Sequence, residues 1–137
     1  MKSNNIRDSP PPLRDYQQAD LAKMQNYEGR AALMVLATGL GKTRIYTEYI
    51  RWDVLNNNHN CLILSHREEL VYQPLTYLQD LPCGVELAEK HAHGEPVISA
   101  SVQSLVGRLD KYNPYEIDTI IVDEAHHCLL YTSDAAD

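Results

Sequence analysis

The sequence has no phenylalanine; nine Tyr and one Trp supply its aromatic surface across 137 residues, and no function follows from that. It has no CxxC pair. Three cysteines, Cys61, Cys83 and Cys128, leave an odd count, so neither a zinc site nor a disulfide framework fits, and a reducing, cytoplasmic setting is expected. No apolar run approaches the roughly 20 residues needed to span a bilayer, and the opening MKSNNIRDSPPPL lacks the apolar stretch of a secretory leader, so no membrane role is expected. Basic excess is missing too: 12 Lys and Arg stand against 19 Asp and Glu, a formal net charge of -7. Tight nonspecific binding of nucleic acid usually needs a basic face, so this balance argues against such binding by the segment alone, while local basic patches stay open.

What is present is a repeating alternation. After a polar, proline-rich lead-in over 1–12, Leu13, Tyr16, Leu21 and Met24 recur at helical spacing up to Gly29. RAALMVLAT is a continuous apolar run of strand length that meets a glycine turn, and KTRIYTEYIRWDVL then has helical periodicity until the Asn-rich break at 56–58. CLILS predicts a second buried strand and REELVYQPLTYLQDL a helix ending near Pro82. PVISAS, the amphipathic VQSLVGRLDKY and DTIIVD continue the series, with VELAE a candidate further strand. Apolar strands alternating with helices imply an α/β fold with a mostly parallel sheet covered on both faces.

Between the first apolar strand and its helix, VLATGLGKTRI places Gly39 and Gly41 directly before Lys42 and Thr43. Glycines let the backbone approach phosphates, successive N–H groups turn inward, and the helix N-terminus adds a favourable dipole. Lys42 is then expected on the β and γ phosphates and Thr43 on magnesium. The strict pattern GxxxxGK[ST] asks for glycine where this chain has Leu36, so the match is to a relaxed form; a glycine-rich turn with an incidental lysine is the alternative.

A nucleotide hydrolase also needs a carboxylate at the end of a nearby strand to hold the metal and a second group to act on water. IIVDEAHH carries both: Asp123 for the metal, Glu124 for the water. Alone, such an acidic strand end is more often just solvated, but downstream of Lys42 it is the expected counterpart. The adjacent His126 and His127 do not suit one metal, because neighbours on a strand point to opposite faces.

Together these residues resemble the superfamily 2 helicases and translocases, in particular the DEAH-type branch that includes type III restriction-enzyme motor subunits. LATGLGKT is similar to motif I, VDEAH to motif II, LILSHREEL to motif Ia, SASVQSL to the segment after it, and LRDYQ to the adenine-recognition element. The resemblance covers 13–127 and implies a RecA-like P-loop NTPase lobe, a three-layer sandwich incomplete at its C-terminus. It implies ATP and Mg2+, with Thr38, Gly39, Leu40, Gly41, Lys42 and Thr43 around the phosphates, Thr43 and Asp123 on the metal, Glu124 and Lys42 in catalysis and His126 in coupling. Gln17 would bond the adenine edge, with Arg14 and Tyr16 packing around the base, and His66, Arg67, Ser101 and Gln103 would lie along a sugar-phosphate backbone. Each has a plainer reading as a solvated or capping residue. DNA is favoured over RNA as the polymer, and contacts to backbone alone name no base sequence.

Motors of this family carry a second such lobe in the same chain, so this segment alone is expected to bind nucleotide weakly and not to move along nucleic acid. The last ten residues, CLLYTSDAAD, depart from the pattern, which would continue with a loop, a helix and a strand. Read back through codons they resemble a translated transposon-end adapter, so 128–137 is expected to be a non-native tail outside the fold. Two other functions remain open: a P-loop NTPase of another class, against which LRDYQ and the motif Ia likeness speak, and a nucleotide-binding module without turnover.

Overall fold

The computed structural model describes residues 12–35, 39–124 and 127–132. Helix α1 (Asp15–Gln25) opens where the Gln17 side chain accepts the Arg14 backbone N–H at 2.8 Å, half of a capping box. β1 (Ala31–Val35) leads towards α2 (Gly39–Asn57), a 19-residue helix about 28 Å long. Asn58 follows with φ 56°, the left-handed conformation that Asn tolerates at a helix end. Then come β2 (Cys61–Ser65), β3 (Cys83–Glu86), β4 (Val97–Ser101), the short α3 (Val102–Val106) and β5 (Thr119–Asp123).

These strands join in one sheet of order β1-β6-β5-β2-β4-β3, where β6 is His127–Thr132. The pairings β3–β4, β4–β2 and β2–β5 are parallel, as the alternating pattern requires, and β6 is antiparallel to both its neighbours. A mixed α/β sheet of this kind, mostly parallel, agrees with a RecA-like fragment.

Side-chain alternation along the strands divides the core in two. Cys61, Ile63, Val97, Ile121, Cys128 and Leu130 face α1 and α2, where Met24, Ile45, Tyr46, Tyr49 and Ile50 cover them. Leu62, Ile98 and Ala100 face the other way, against Ala92 and Leu105. Burial on both faces explains why β2 reads as an uninterrupted apolar run.

Three expectations are corrected. The helix over REELVYQPLTYLQDL is absent, and the segment forms two short 3-10 turns, Glu68–Leu70 and Pro74–Tyr77. Pro74 lacks the N–H a continuous helix would need and its ring clashes with the preceding turn, so the chain restarts there. VQSLVGRLDKY keeps only α3 and a 3-10 turn at Leu109–Lys111, broken at Gly107. Lastly, Cys128–Thr132 is not outside the fold: it forms most of β6, hydrogen-bonded on both sides, with Cys128 and Leu130 fully buried. β1 and β5 each offer unpaired backbone groups on facing edges, and an apolar CLLYT segment satisfies both rows at once.

Candidate nucleotide site

The site forms where the N-terminus of α2 meets the C-terminal end of β5. Lys42 and Asp123 are both buried, and Lys42 Nζ lies 2.5 Å from Asp123 Oδ1. The same ammonium donates to the Glu124 backbone carbonyl. Tyr46, one turn beyond Lys42 and therefore on the same face of α2, donates its hydroxyl to Asp123 Oδ2 at 2.9 Å. Burial, with Asp123 beside it, pushes the Tyr46 phenol well above its usual range, so it stays a donor. Asp123 is thus held by one buried cation and one buried phenol.

The other sequence candidates distribute unevenly. Gln17 is buried and its amide donates to the Gly41 carbonyl at 3.5 Å, so the upstream helix reaches the first turn of α2, where the sequence predicts a glycine loop. Arg14 and Tyr16 are exposed beside it, and Gly39 and Leu40 begin α2. Thr43 is buried next to Lys42. His66 Nε2 stands 3.6 Å from Glu124 Oε2, and Arg67 pairs with Glu69 in solvent at 2.7 Å. Gln103 is exposed on α3. Ser101 is a correction: it is fully buried, and its hydroxyl accepts the Ser104 N–H at 3.1 Å as the N-cap of α3, so it presents nothing to a polymer. Thr38 and His126 lie outside the described residues.

Two residues at the site had no role in the sequence reading. Tyr46 passed as one apolar position of a helix, though its i, i+4 spacing from Lys42 was a usable signal. Ser65 ends β2 in register with Asp123, is fully buried, and its hydroxyl has no hydrogen-bond partner among the described residues. A buried polar atom left unpaired is rare and marks a place where another group is accommodated.

No cluster of three or more His, Cys, Asp or Glu suited to a metal exists among the described residues. Magnesium bound with a nucleotide does not ask for one. It takes one or two hard protein oxygens, with phosphates and waters completing its shell. The Asp123 carboxylate and Thr43 hydroxyl are of that chemistry, and the unpaired Ser65 hydroxyl beside Asp123 leaves an outer contact available, so the donor set fits.

Comparison with known proteins agrees with this geometry. Residues 11–132 match the family model described as type III restriction enzyme, res subunit. The chain is 39% identical over 134 residues to the putative ATP-dependent helicase IRC3 of Saccharomyces cerevisiae, covering 87% of this chain and 19% of that protein. It is likewise 39% identical over 126 residues to the putative mitochondrial ATP-dependent helicase irc3 of Schizosaccharomyces pombe, covering 84% and 21%. The chain therefore spans about a fifth of the length of these curated relatives. No helix among the described residues is long and apolar enough to cross a membrane. With nearly the whole sheet and both halves of the Lys42–Asp123 pair inside the matched span, the chain belongs to the type III restriction enzyme res-subunit family, as an N-terminal lobe of the superfamily 2 helicase kind.

Proposed function

We propose that this chain is the ATP-binding lobe of a nucleic-acid-dependent ATPase, in which hydrolysis drives unwinding of, or movement along, a polynucleotide, DNA being favoured. The observation that carries the reading is the buried Lys42–Asp123 pair at 2.5 Å, set where a helix N-terminus meets a strand end. An incidental lysine in a glycine turn has no reason to be buried against an acid contributed from the far end of the sequence.

Triphosphate entering the loop competes with Asp123 for the Lys42 ammonium. Lys42 then turns to the β and γ phosphates, and Tyr46 keeps the released carboxylate in place. Thr43 and Asp123 would hold magnesium, which would neutralise charge on the phosphate oxygens. Glu124 orients water and accepts its proton. Gln17, with Arg14 and Tyr16 outside it, addresses the adenine edge, and His126 couples the site to motion. His66, Arg67 and Gln103 line the path of a sugar-phosphate backbone. A second lobe completes the cleft and supplies arginines, worth about 10³ to 10⁵ in rate in related chemistry, so the chain by itself binds ATP weakly and turns it over poorly.

Calorimetry of magnesium-dependent ATP binding to residues 1–137, with Lys42→Ala as control, tests the reading. Saturable binding lost in the variant is the expected result. Equal affinity in both proteins would sink the phosphate-loop assignment.

A further inference from the structure

β2 and β5 run parallel with Ser65 beside Asp123 in register. The next residue of each chain, His66 and Glu124, therefore leaves the sheet side by side, and the imidazole Nε2 comes to 3.6 Å from the Glu124 carboxylate. No Lys or Arg side chain stands at ion-pair distance from that carboxylate among the described residues, because Lys42 is turned to Asp123 and meets Glu124 only at its backbone carbonyl. The end of β2 thus lies beside both acids, with Ser65 next to Asp123 on the buried side and His66, just past the strand, next to Glu124 on the open side. The His66 side chain is 62% exposed against 33% for Glu124, so a polyanion arriving from solvent meets the imidazole first. Next to it, the Arg67–Glu69 pair is solvated on both sides and exchanges easily for a phosphate.

We propose that His66 is a positioning residue for Glu124: it holds the carboxylate at the outer end of β2 until a polynucleotide phosphate takes over the imidazole. This rests on the functional reading above, in which Glu124 acts on water and a polynucleotide passes His66 and Arg67. A carboxylate occupied by a neighbouring imidazole is a poorer acceptor for a water proton, and one drawn toward β2 is not aimed at the phosphate loop. A phosphate that engages His66 frees it. Stimulation of hydrolysis by nucleic acid then has a local cause within this lobe.

The test is steady-state ATP turnover by the full-length protein that carries this lobe, with and without oligo(dT). His66→Ala should raise kcat without nucleic acid about fivefold or more, leave the KM for ATP unchanged, and shrink the stimulation by the same factor. His66→Lys, which keeps an N–H donor in reach of Glu124, should return the basal rate toward the parent value. His66→Leu, which fills the space without a donor, replaces the alanine variant if that one unfolds, with the same expected rise. An unchanged or lower basal kcat, with only more oligo(dT) needed for half-stimulation, would overturn the proposal and leave His66 a simple backbone contact. Failure of the underlying reading shows separately, as Lys42→Ala hydrolysing ATP like the parent.

Discussion

Two buried acids of this lobe, Glu86 and Asp123, are built from similar parts to opposite ends. Each accepts from a lysine and a tyrosine hydroxyl: Lys111 and Tyr112 for Glu86, Lys42 and Tyr46 for Asp123. Glu86 adds Arg108 at 2.9 Å and the Ala92 backbone N–H at 3.2 Å, all from within 26 residues of chain. Burial pushes its carboxyl up, but donation from Lys111, Tyr112, Arg108 and Ala92 outweighs that and holds it down at about 2. Both carboxylate oxygens accept there, Oε1 from Arg108 and Oε2 from Lys111, Tyr112 and the Ala92 N–H. Among the described residues Asp123 has fewer donors, drawn from a distant helix, and the hydroxyl beside it has no partner there. A saturated acid locks loops together, whereas an acid held mainly by one exchangeable lysine can hand that lysine to a ligand.

Removing the exchangeable cation should have the largest effect. Lys42→Ala strands Asp123 without a counter-charge and is expected to cost roughly 3 to 5 kcal/mol of stability as well as ATP binding. In the double variant Lys42→Ala, Asp123→Asn, stability should largely return while binding stays lost, read by denaturant unfolding and calorimetry.

Glu86→Gln should cost less, about 2 to 3 kcal/mol, because Arg108 and Lys111 can regain water. It should leave ATP affinity untouched. Because the folded carboxyl is held at about 2, below its usual 4.5, its contribution is complete above the unfolded value and drains away as pH falls through the folded one. Stability of the parent should therefore drop between about pH 5 and pH 2, and the Gln variant should show a flatter profile over that window in urea titrations.

Tyr46→Phe removes the rigid donor to Asp123 and should cost about 1 to 3 kcal/mol, the penalty of a buried acceptor left short. Smallest is Ser65→Ala. Deleting a hydroxyl that has no partner should change nucleotide-free stability by less than about 1 kcal/mol, in the stabilising direction, while weakening magnesium-dependent ATP binding. Equal loss of stability from Ser65→Ala and Tyr46→Phe would erase the distinction between the two acids.

Much of the fold was legible before any coordinates. β2, β4 and β5 match their apolar runs because strands buried on both faces need no alternation to be recognised. α2 runs through its whole periodic segment to the Asn-rich break. The helix that apolar spacing predicts across Pro74 does not form, because the proline lacks the N–H donor that a continuous helix needs. The tail was set aside for its departure from the family pattern and its polar ending, yet Cys128 lies opposite Asp123, where burial and that carboxylate push its thiol up to about 12. At the site, Lys42, Asp123 and Gln17 were legible as motif positions. Tyr46, Ser65 and the His66–Glu124 approach were not, since each is a relation across strands or along a helix face.

Local chemistry along the chain was enough to determine β2, β4 and β5, the helix α2, the glycines before Lys42, and the acid pair at the end of β5. These depend on backbone freedom, side-chain type and spacing, which a sequence states directly. The tertiary structure alone decided which strand fills the gap between β1 and β5, that one phenol steadies Asp123, and that β2 delivers Ser65 and His66 beside the two acids. Strand order and register set those contacts, and they bring together residues whose separation along the chain says nothing about their distance in space.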